Sequence, residues 1–266
     1  RLSVRGRSEV LQEKLGDVKS DGIVFWLNGT EMRVPADEID PTMSLNTFIR
    51  TNTYLRGTKL SCGEGGCGAC IVTLQRFAAD GSVVSKATNS CLRPLILCDG
   101  FSITTVEGIG GKHHDDGYHP IQERFAAYHA TQCGFCTPGM VMTLYTSLQR
   151  DGELSMEEME NRFDGNICRC TGYRPILDCA KSFATDTTVQ DHITANGLSG
   201  DYDRSRDPQP SEDSRGYEPA AAVFQNELQT YVRFTSAQQF FDVTSQLSTD
   251  DYRVVAGATS LGIYKE

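Results

Sequence analysis

Cys62-Gly-Glu-Gly-Gly-Cys67-Gly-Ala-Cys70, with Cys91 after twenty intervening residues, decides how the first half of this chain folds. Three cysteines at C-x4-C-x2-C spacing and a distant fourth are the pattern that holds a [2Fe–2S] cluster. The cluster needs four thiolates converging from a loop wrapped around it, with backbone N–H groups turned toward its sulfides. Gly63, Gly65, Gly66 and Gly68 permit the close approach and unusual backbone angles that this demands. Zinc also takes four cysteines, but zinc knuckles come as two close pairs, which this run is not.

Around that loop the apolar residues alternate. Ile23-Val-Phe-Trp-Leu27, Asn28-Gly29 and Met32-Arg-Val34 read as two strands around a hairpin turn. Ser44 is placed to cap a helix carrying Leu45, Phe48, Ile49 and Leu55 on one face. Ile71–Leu74 and Val83-Val84 flank an Asp80-Gly81 turn, and Ser102–Val106 supplies a further strand. Strands around one helix predict a compact α+β unit of the β-grasp type over residues 21–110.

Residues 118–184 change period from two to about 3.6. Helices are expected from Pro120, from Thr137-Pro138 as cap and first-turn proline, from the capping box Ser155-Met-Glu-Glu158, and from Pro175. This predicts a four-helix unit. It carries Cys133-Gly-Phe-Cys136 and Cys168-Arg-Cys170, each pair at a helix end, so four sulfurs can again converge. Spacing alone leaves both a second iron–sulfur cluster and a zinc site open here, with the cluster favoured. Cys98 and Cys179 lie in apolar surroundings and read as buried structural thiols. His113-His114-Asp115-Asp116 with His119 reads as a solvated connecting loop, and the acidic residues of 153–160 as a helix start and charged face.

The remainder is polar or incomplete. Residues 1–20 form a polar arm, and 185–222, rich in Asp, Ser, Gly and Pro, read as a flexible or surface-wrapping linker. Within 223–266 a strand over Tyr231–Phe234, a helix near 236–247 and a strand over Tyr252–Val255 precede a glycine-bounded loop, Gly257–Gly262. A strand–helix–strand unit cannot bury both faces alone and reads as a domain cut short. Net charge −10 argues against nucleic acid as main partner, and no apolar run approaches the ~20 residues of a membrane span. Ten cysteines without a visible signal peptide point to metal or redox chemistry in a reducing compartment, the cytoplasm, with the peroxisome as alternative.

Three runs together resemble a known family. They are Gly57-Thr-Lys-Leu-Ser-Cys62 through Cys70, Gln132-Cys133-Gly-Phe-Cys136-Thr-Pro-Gly139, and Gly165-Asn-Ile-Cys168-Arg-Cys170-Thr-Gly-Tyr-Arg-Pro175. In this order they are similar to the two iron–sulfur domains of molybdenum hydroxylases, the xanthine dehydrogenases and aldehyde oxidases. The resemblance implies an α+β multidomain chain: a plant-type [2Fe–2S] ferredoxin-like domain, a helical [2Fe–2S]-binding domain, then the start of an α/β FAD-binding domain. Cys62, Cys67, Cys70 and Cys91 would hold the flavin-side cluster, and Cys133, Cys136, Cys168 and Cys170 the molybdenum-side one. Gln132 and Cys170 would face the molybdopterin, and Glu64, Gly65 and Gly66 the flavin. Val255, Ala256, Gly257, Ala258, Thr259, Ser260, Leu261 and Gly262 resemble a phosphate-binding loop for FAD, where successive N–H groups form an anion nest.

The implied function is electron transfer in purine catabolism: oxidation at Mo-molybdopterin, then passage through two [2Fe–2S] clusters to FAD and on to NAD+ or O2. Xanthine dehydrogenase is preferred over aldehyde oxidase on Tyr118–Arg124 and the flavin-domain start. The expected partners are FAD and molybdenum domains of a longer chain or partner subunits, in a homodimeric complete enzyme. The rival readings are a zinc-bearing interaction module and a stand-alone ferredoxin-like carrier.

Overall fold

The computed structural model describes residues 22–189, 202–226, 230–245, 247–248 and 252–254. The arm 1–20 and the loop Val255–Gly262 lie outside the described residues.

The first unit is a five-stranded sheet in the order β2-β1-β5-β3-β4. β1 (Ile23–Leu27) and β2 (Thr30–Val34) are joined by Asn28 and Gly29, both at positive φ, the conformation a two-residue hairpin requires. β3 (Ile71–Phe77) pairs antiparallel with β4 (Val83–Asn89) and with β5 (Ser102–Thr104), while β5 runs parallel to β1. The fifth strand is shorter than expected. It stops at Thr104, and Val106 opens a single helical turn, α2 (Val106–Ile109), after α1 (Leu45–Asn52).

Ser44 caps α1 by accepting the Thr47 N–H at 3.1 Å. The helix buries Leu45, Phe48 and Ile49 among Phe25, Leu74 and Ile103. Leu55 packs on the same core but lies beyond the helix, which ends at Asn52.

β3 is buried on both faces, and this couples the two halves of the chain. Val72 and Leu74 enter the core of the sheet. Thr73 and Gln75 turn the other way onto α4 (Thr137–Asp151), where Thr73 Oγ1 meets Thr146 Oγ1 at 2.6 Å and Gln75 donates to Gln149 Oε1 at 3.2 Å. The Thr73 hydroxyl and the Gln75 amide nitrogen each find a partner across the interface, which offsets their burial.

Around α4 pack α3 (Pro120–Ala127), α5 (Met156–Asn161) and α6 (Arg174–Lys181), burying Ile121, Phe125, Met140, Leu144, Tyr145 and Ile176. Every residue of α4 from Gly139 to Leu148 is buried, because the helix is wedged between the sheet and its own bundle. The capping box at Ser155 forms. At α4 the cap is Cys136 rather than Thr137, whose hydroxyl pairs instead with Thr131. Cys98 and Cys179 are fully buried, and burial pushes the Cys98 thiol up to about 11.

His119 departs from the solvated loop expected of it. His113, His114, Asp115 and Asp116 are exposed, but His119 is buried and caps α3. Its Nδ1 accepts the Ile121 N–H at 3.2 Å, leaving the ring proton on Nε2, which donates to Asp207 Oδ1 at 3.0 Å. Tyr202 donates to Asp207 Oδ2 at 2.6 Å. The segment read as a linker is therefore, over 202–217, a strap laid across both units. It is fixed to the helices at Asp207 and to the sheet by Ser211 N–H on Ser102 Oγ and Tyr217 on Asp99.

The chain continues as an antiparallel pair, β6 (Ala222–Gln225) and β7 (Thr230–Arg233), and α7 (Ala237–Thr244). Ala222 and Phe224 are buried in the core of the first sheet unit, and Arg233 forms an ion pair with buried Asp99 at 2.7 Å. β6 and β7 thus pack on the first unit. Tyr252–Val254, expected as strand, is irregular. Among the described residues no helix is long and apolar enough to cross a membrane.

Replacing Asp207 with Ala strands the buried His119 Nε2–H and the half-buried Tyr202 hydroxyl. Urea unfolding is expected to show a loss of about 2–4 kcal/mol, with a smaller loss for Asp207→Asn, which keeps an acceptor.

Candidate metal centres

The first cysteine loop leaves α1 and returns into β3, and it is held at its root by a residue the sequence reading missed. Asn46, fully buried in α1, donates to the Lys59 carbonyl and to Ser90 Oγ, while Ser90 Oγ donates to the Cys70 carbonyl at 2.6 Å. These bonds tie the strand entering Cys91 to the strand leaving Cys70. The signal was a carboxamide set between Leu45 and Phe48 on an inward-facing helix.

Within the loop Gly63, Gly65 and Gly68 take positive φ, whereas Gly66 does not and has open space where a Cβ would stand. The conformational demand expected at Gly66 is therefore not present. The loop surface formed by Cys62, Glu64 and Gly66 is exposed, while Cys70 and Cys91 are buried.

The eight expected ligands gather as pairs. Cys62 is hydrogen-bonded to Cys67, and Cys70 to Cys91, with Cys67 and Cys70 close enough to repel. In the helical unit Cys133 pairs with Cys170, and Cys136 with Cys168, and the pairs again feel one another electrostatically. Among the described residues no three His, Cys, Asp or Glu side chains close on one point as a single ion's shell would. A tetrahedral zinc places four sulfurs at ~2.3 Å from one centre. A diiron core takes two sulfurs at each iron, and the paired sulfurs of both sites fit that demand.

The electrostatics carry the same demand. Partial burial works against the Cys62 thiolate, yet the N–H groups of Glu64, Cys67 and Gly66 and the Cys67 thiol hold it below the usual thiol range. The Phe135 N–H and the Cys170 thiol do the same for Cys133. At Cys168 burial is outweighed by the Thr171 hydroxyl and the N–H groups of Thr171 and Cys170. Their partners move the other way. Cys91 and burial push Cys70 far up, and burial with the Cys168 sulfur pushes Cys136 up to about 12. Four thiolates per site can coexist only with added positive charge, which iron supplies. The residues fit the cluster.

The two loops touch. Ile167, one residue before Cys168, donates its N–H to the Cys67 carbonyl at 2.9 Å. Asn166, buried, accepts from Thr143 and donates to the Gly68 carbonyl at 3.4 Å. No side chain fits at this junction: a Cβ on Gly68 would lie 2.4 Å from the Gly165 carbonyl oxygen, and one on Gly139 would lie 2.2 Å from that of Gly68.

Gln132 is exposed beside Cys133, and Cys170 is exposed in contact with it, so the two residues expected to face the molybdopterin stand on one surface. Phe135, next to Cys136, and Ile167, next to Cys168, are exposed apolar side chains of the second site's loops. The sequence reading also left Thr171 and Tyr173 without a role, although both bond within the second loop.

Residues 27–94 match the model of a 2Fe–2S iron–sulfur cluster binding domain, and residues 105–181 that of a [2Fe–2S] binding domain. The chain is 37% identical to a probable aldehyde oxidase 4 of Oryza sativa subsp. japonica over 92% of its own length and 33% of the relative's. It is 46% identical to a xanthine dehydrogenase/oxidase of Rattus norvegicus over 63% of its length and 12% of the relative's. The chain thus spans a third or less of these curated relatives. Among solved structures it is similar to the quinoline 2-oxidoreductase of Pseudomonas putida 86, with 34% identity, TM-score 0.50, and 60% of this chain and 89% of that chain covered. The aldehyde oxidoreductase of Desulfovibrio desulfuricans is 33% identical with TM-score 0.52, over 61% of this chain and 17% of that one.

Gly139→Ala is expected to force the two loops apart, costing about 1–3 kcal/mol as an overpacked substitution. The check is a lowered unfolding midpoint together with weakened magnetic interaction between the two reduced centres in EPR.

Proposed function

Because the chain belongs to the family of xanthine dehydrogenases and aldehyde oxidases, whose two iron–sulfur domains it carries, we propose that it conducts electrons from a molybdenum centre to a flavin within a larger oxidoreductase. The observation that carries the reading is the gathering of eight cysteines into two sites of two pairs each, joined by one backbone hydrogen bond. Bound there, a [2Fe–2S] cluster supplies a one-electron carrier.

Cys62, Cys67, Cys70 and Cys91 hold the first cluster, and Cys133, Cys136, Cys168 and Cys170 the second. The N–H groups of Glu64, Gly66 and Cys67 steady the first site's thiolates, and those of Phe135, Thr171 and Cys170 the second's. The contact of Cys67 with Ile167 keeps the two sites at a constant separation, as conduction requires.

The surface of Gln132 and Cys170 is assigned to the molybdopterin, and that of Glu64, Gly65 and Gly66 to the flavin. Val255–Gly262 is read as an FAD phosphate loop on its glycine-bounded sequence, Gly257-Ala-Thr-Ser-Leu-Gly262. The substrate class proposed is a purine such as xanthine, on Tyr118–Arg124, with NAD+ or O2 as acceptor. The aldehyde reading is its rival, favoured by the aldehyde oxidases among the relatives. A homodimeric complete enzyme is part of the proposal, as is the cytoplasm, since thiolate-held clusters need a reducing milieu.

The dithionite-reduced protein is expected to hold about four irons and four acid-labile sulfides per chain and to show two distinct rhombic EPR signals. Cys67→Ser is expected to abolish one signal and Cys168→Ser the other. Stoichiometric zinc without iron in an anaerobic preparation would overturn the electron-transfer reading in favour of the zinc module. In the whole protein, bleaching of the cluster absorbance by xanthine but not by an aldehyde decides the substrate, and the reverse result reassigns it.

A further inference from the structure

The second cysteine loop contains a hydroxyl whose position no ligand role explains. Thr171 Oγ1 lies 3.1 Å from Cys168 Sγ, and the same oxygen accepts the Tyr173 N–H at 3.1 Å. That amide occupies the oxygen's acceptor side, so the hydroxyl proton is left to point at the sulfur. Against a ligating thiolate, which has no proton to give, Thr171 can only be the donor.

The backbone is strained to produce this arrangement. Gly172 and Tyr173 are both at positive φ, +67° and +70°, a conformation that a tyrosine side chain disfavours. The turn sends the Tyr173 amide back to Thr171 and the Tyr173 phenol oxygen back to Cys168, whose N–H it accepts at 2.9 Å. Both ends of one residue therefore converge on the Cys168–Thr171 contact. A plain turn satisfied by Thr171 would need only the first of these bonds. Cys168 is also buried, whereas Cys133 and Cys170 beside it are exposed, so a donor bond to its sulfur is less shared with water.

We infer that Thr171 is a positioning residue that sets the reduction potential of the second site, by donating its hydroxyl hydrogen to Cys168 Sγ with Tyr173 holding it in place. The inference rests on the assignment of Cys168 as a cluster ligand. A donor to a ligand sulfur stabilises the more negative, reduced state, so its presence raises the potential and its removal lowers it.

The test is an EPR-monitored redox titration of the whole chain carrying Thr171→Val, Thr171→Ala or Thr171→Ser. Valine keeps the shape and removes the donor. At fixed poise the reduced-to-oxidised ratio of the second signal is expected to fall about tenfold, equivalent to about 59 mV for a one-electron couple. The first signal stays in place, and Thr171→Ser titrates like the wild type. Thr171→Ala reads the same shift if the valine variant does not assemble. An unmoved second signal in a variant holding both clusters refutes the tuning role while leaving the ligand assignment intact. Loss of the second signal in both donor-free variants, with about four irons in the wild type, makes Thr171 an assembly residue and also refutes it. A wild type with no second cluster removes the ligand assignment, and this inference with it.

Discussion

Thiolates crowded into one loop repel one another and, where buried, are costly unless hydrogen-bonded and neutralised; this chain brings eight cysteines together at two such sites, with Cys70, Cys91 and Cys168 buried. The rest of the structure follows from that constraint. Backbone N–H groups in two tight loops supply part of the compensation, at Cys62 from Glu64, Gly66 and Cys67, and at Cys168 from Thr171 and Cys170. They are insufficient for four thiolates at once, since Cys70 and Cys136 are driven up as their neighbours are driven down. The pairing of sulfurs suits the two irons of the [2Fe–2S] clusters whose binding domains the chain matches.

Loops that bend this sharply have little cohesion of their own, so their stability is borrowed from the elements behind them. Asn46 fastens the first loop to α1 and Ser90, and Asn166 fastens the second to α4 and to the first. The two domains meet along β3, whose alternation serves two cores at once: Val72 and Leu74 for the sheet, Thr73 and Gln75 for the α4 interface. An apolar strand face would have sealed equally well. Paired hydroxyls and carboxamides also set a register, because a slip of one residue would leave them buried and unsatisfied.

The strap over 202–217, with β6 and β7, reinforces the same interface from outside. Its anchors are buried polar contacts, Asp207 with His119 and Tyr202, and Asp99 with Tyr217 and Arg233. Such bonds are directional, so they hold a segment that has few large apolar residues to bury.

Much of this was legible in the chain itself. Cysteine spacing announced the chemistry, because ligand separation along a loop is a local property. Apolar periodicity placed the hairpin at Asn28-Gly29, the helix capped by Ser44 and the four helices of the second unit, which are short-range patterns too. What the tertiary structure alone decided was long-range: which sulfur pairs with which, the contact of Cys67 with Ile167, the burial of His119, and the docking of Ala222 and Phe224 into the first core. His119 looked like part of a solvated loop because its acceptor, Asp207, lies 88 residues away. The cysteines by themselves marked two four-thiolate sites and, at the first, the [2Fe–2S] pattern. Packing decided how the two sites meet, since only residues distant in sequence can complete a buried polar group's bonds.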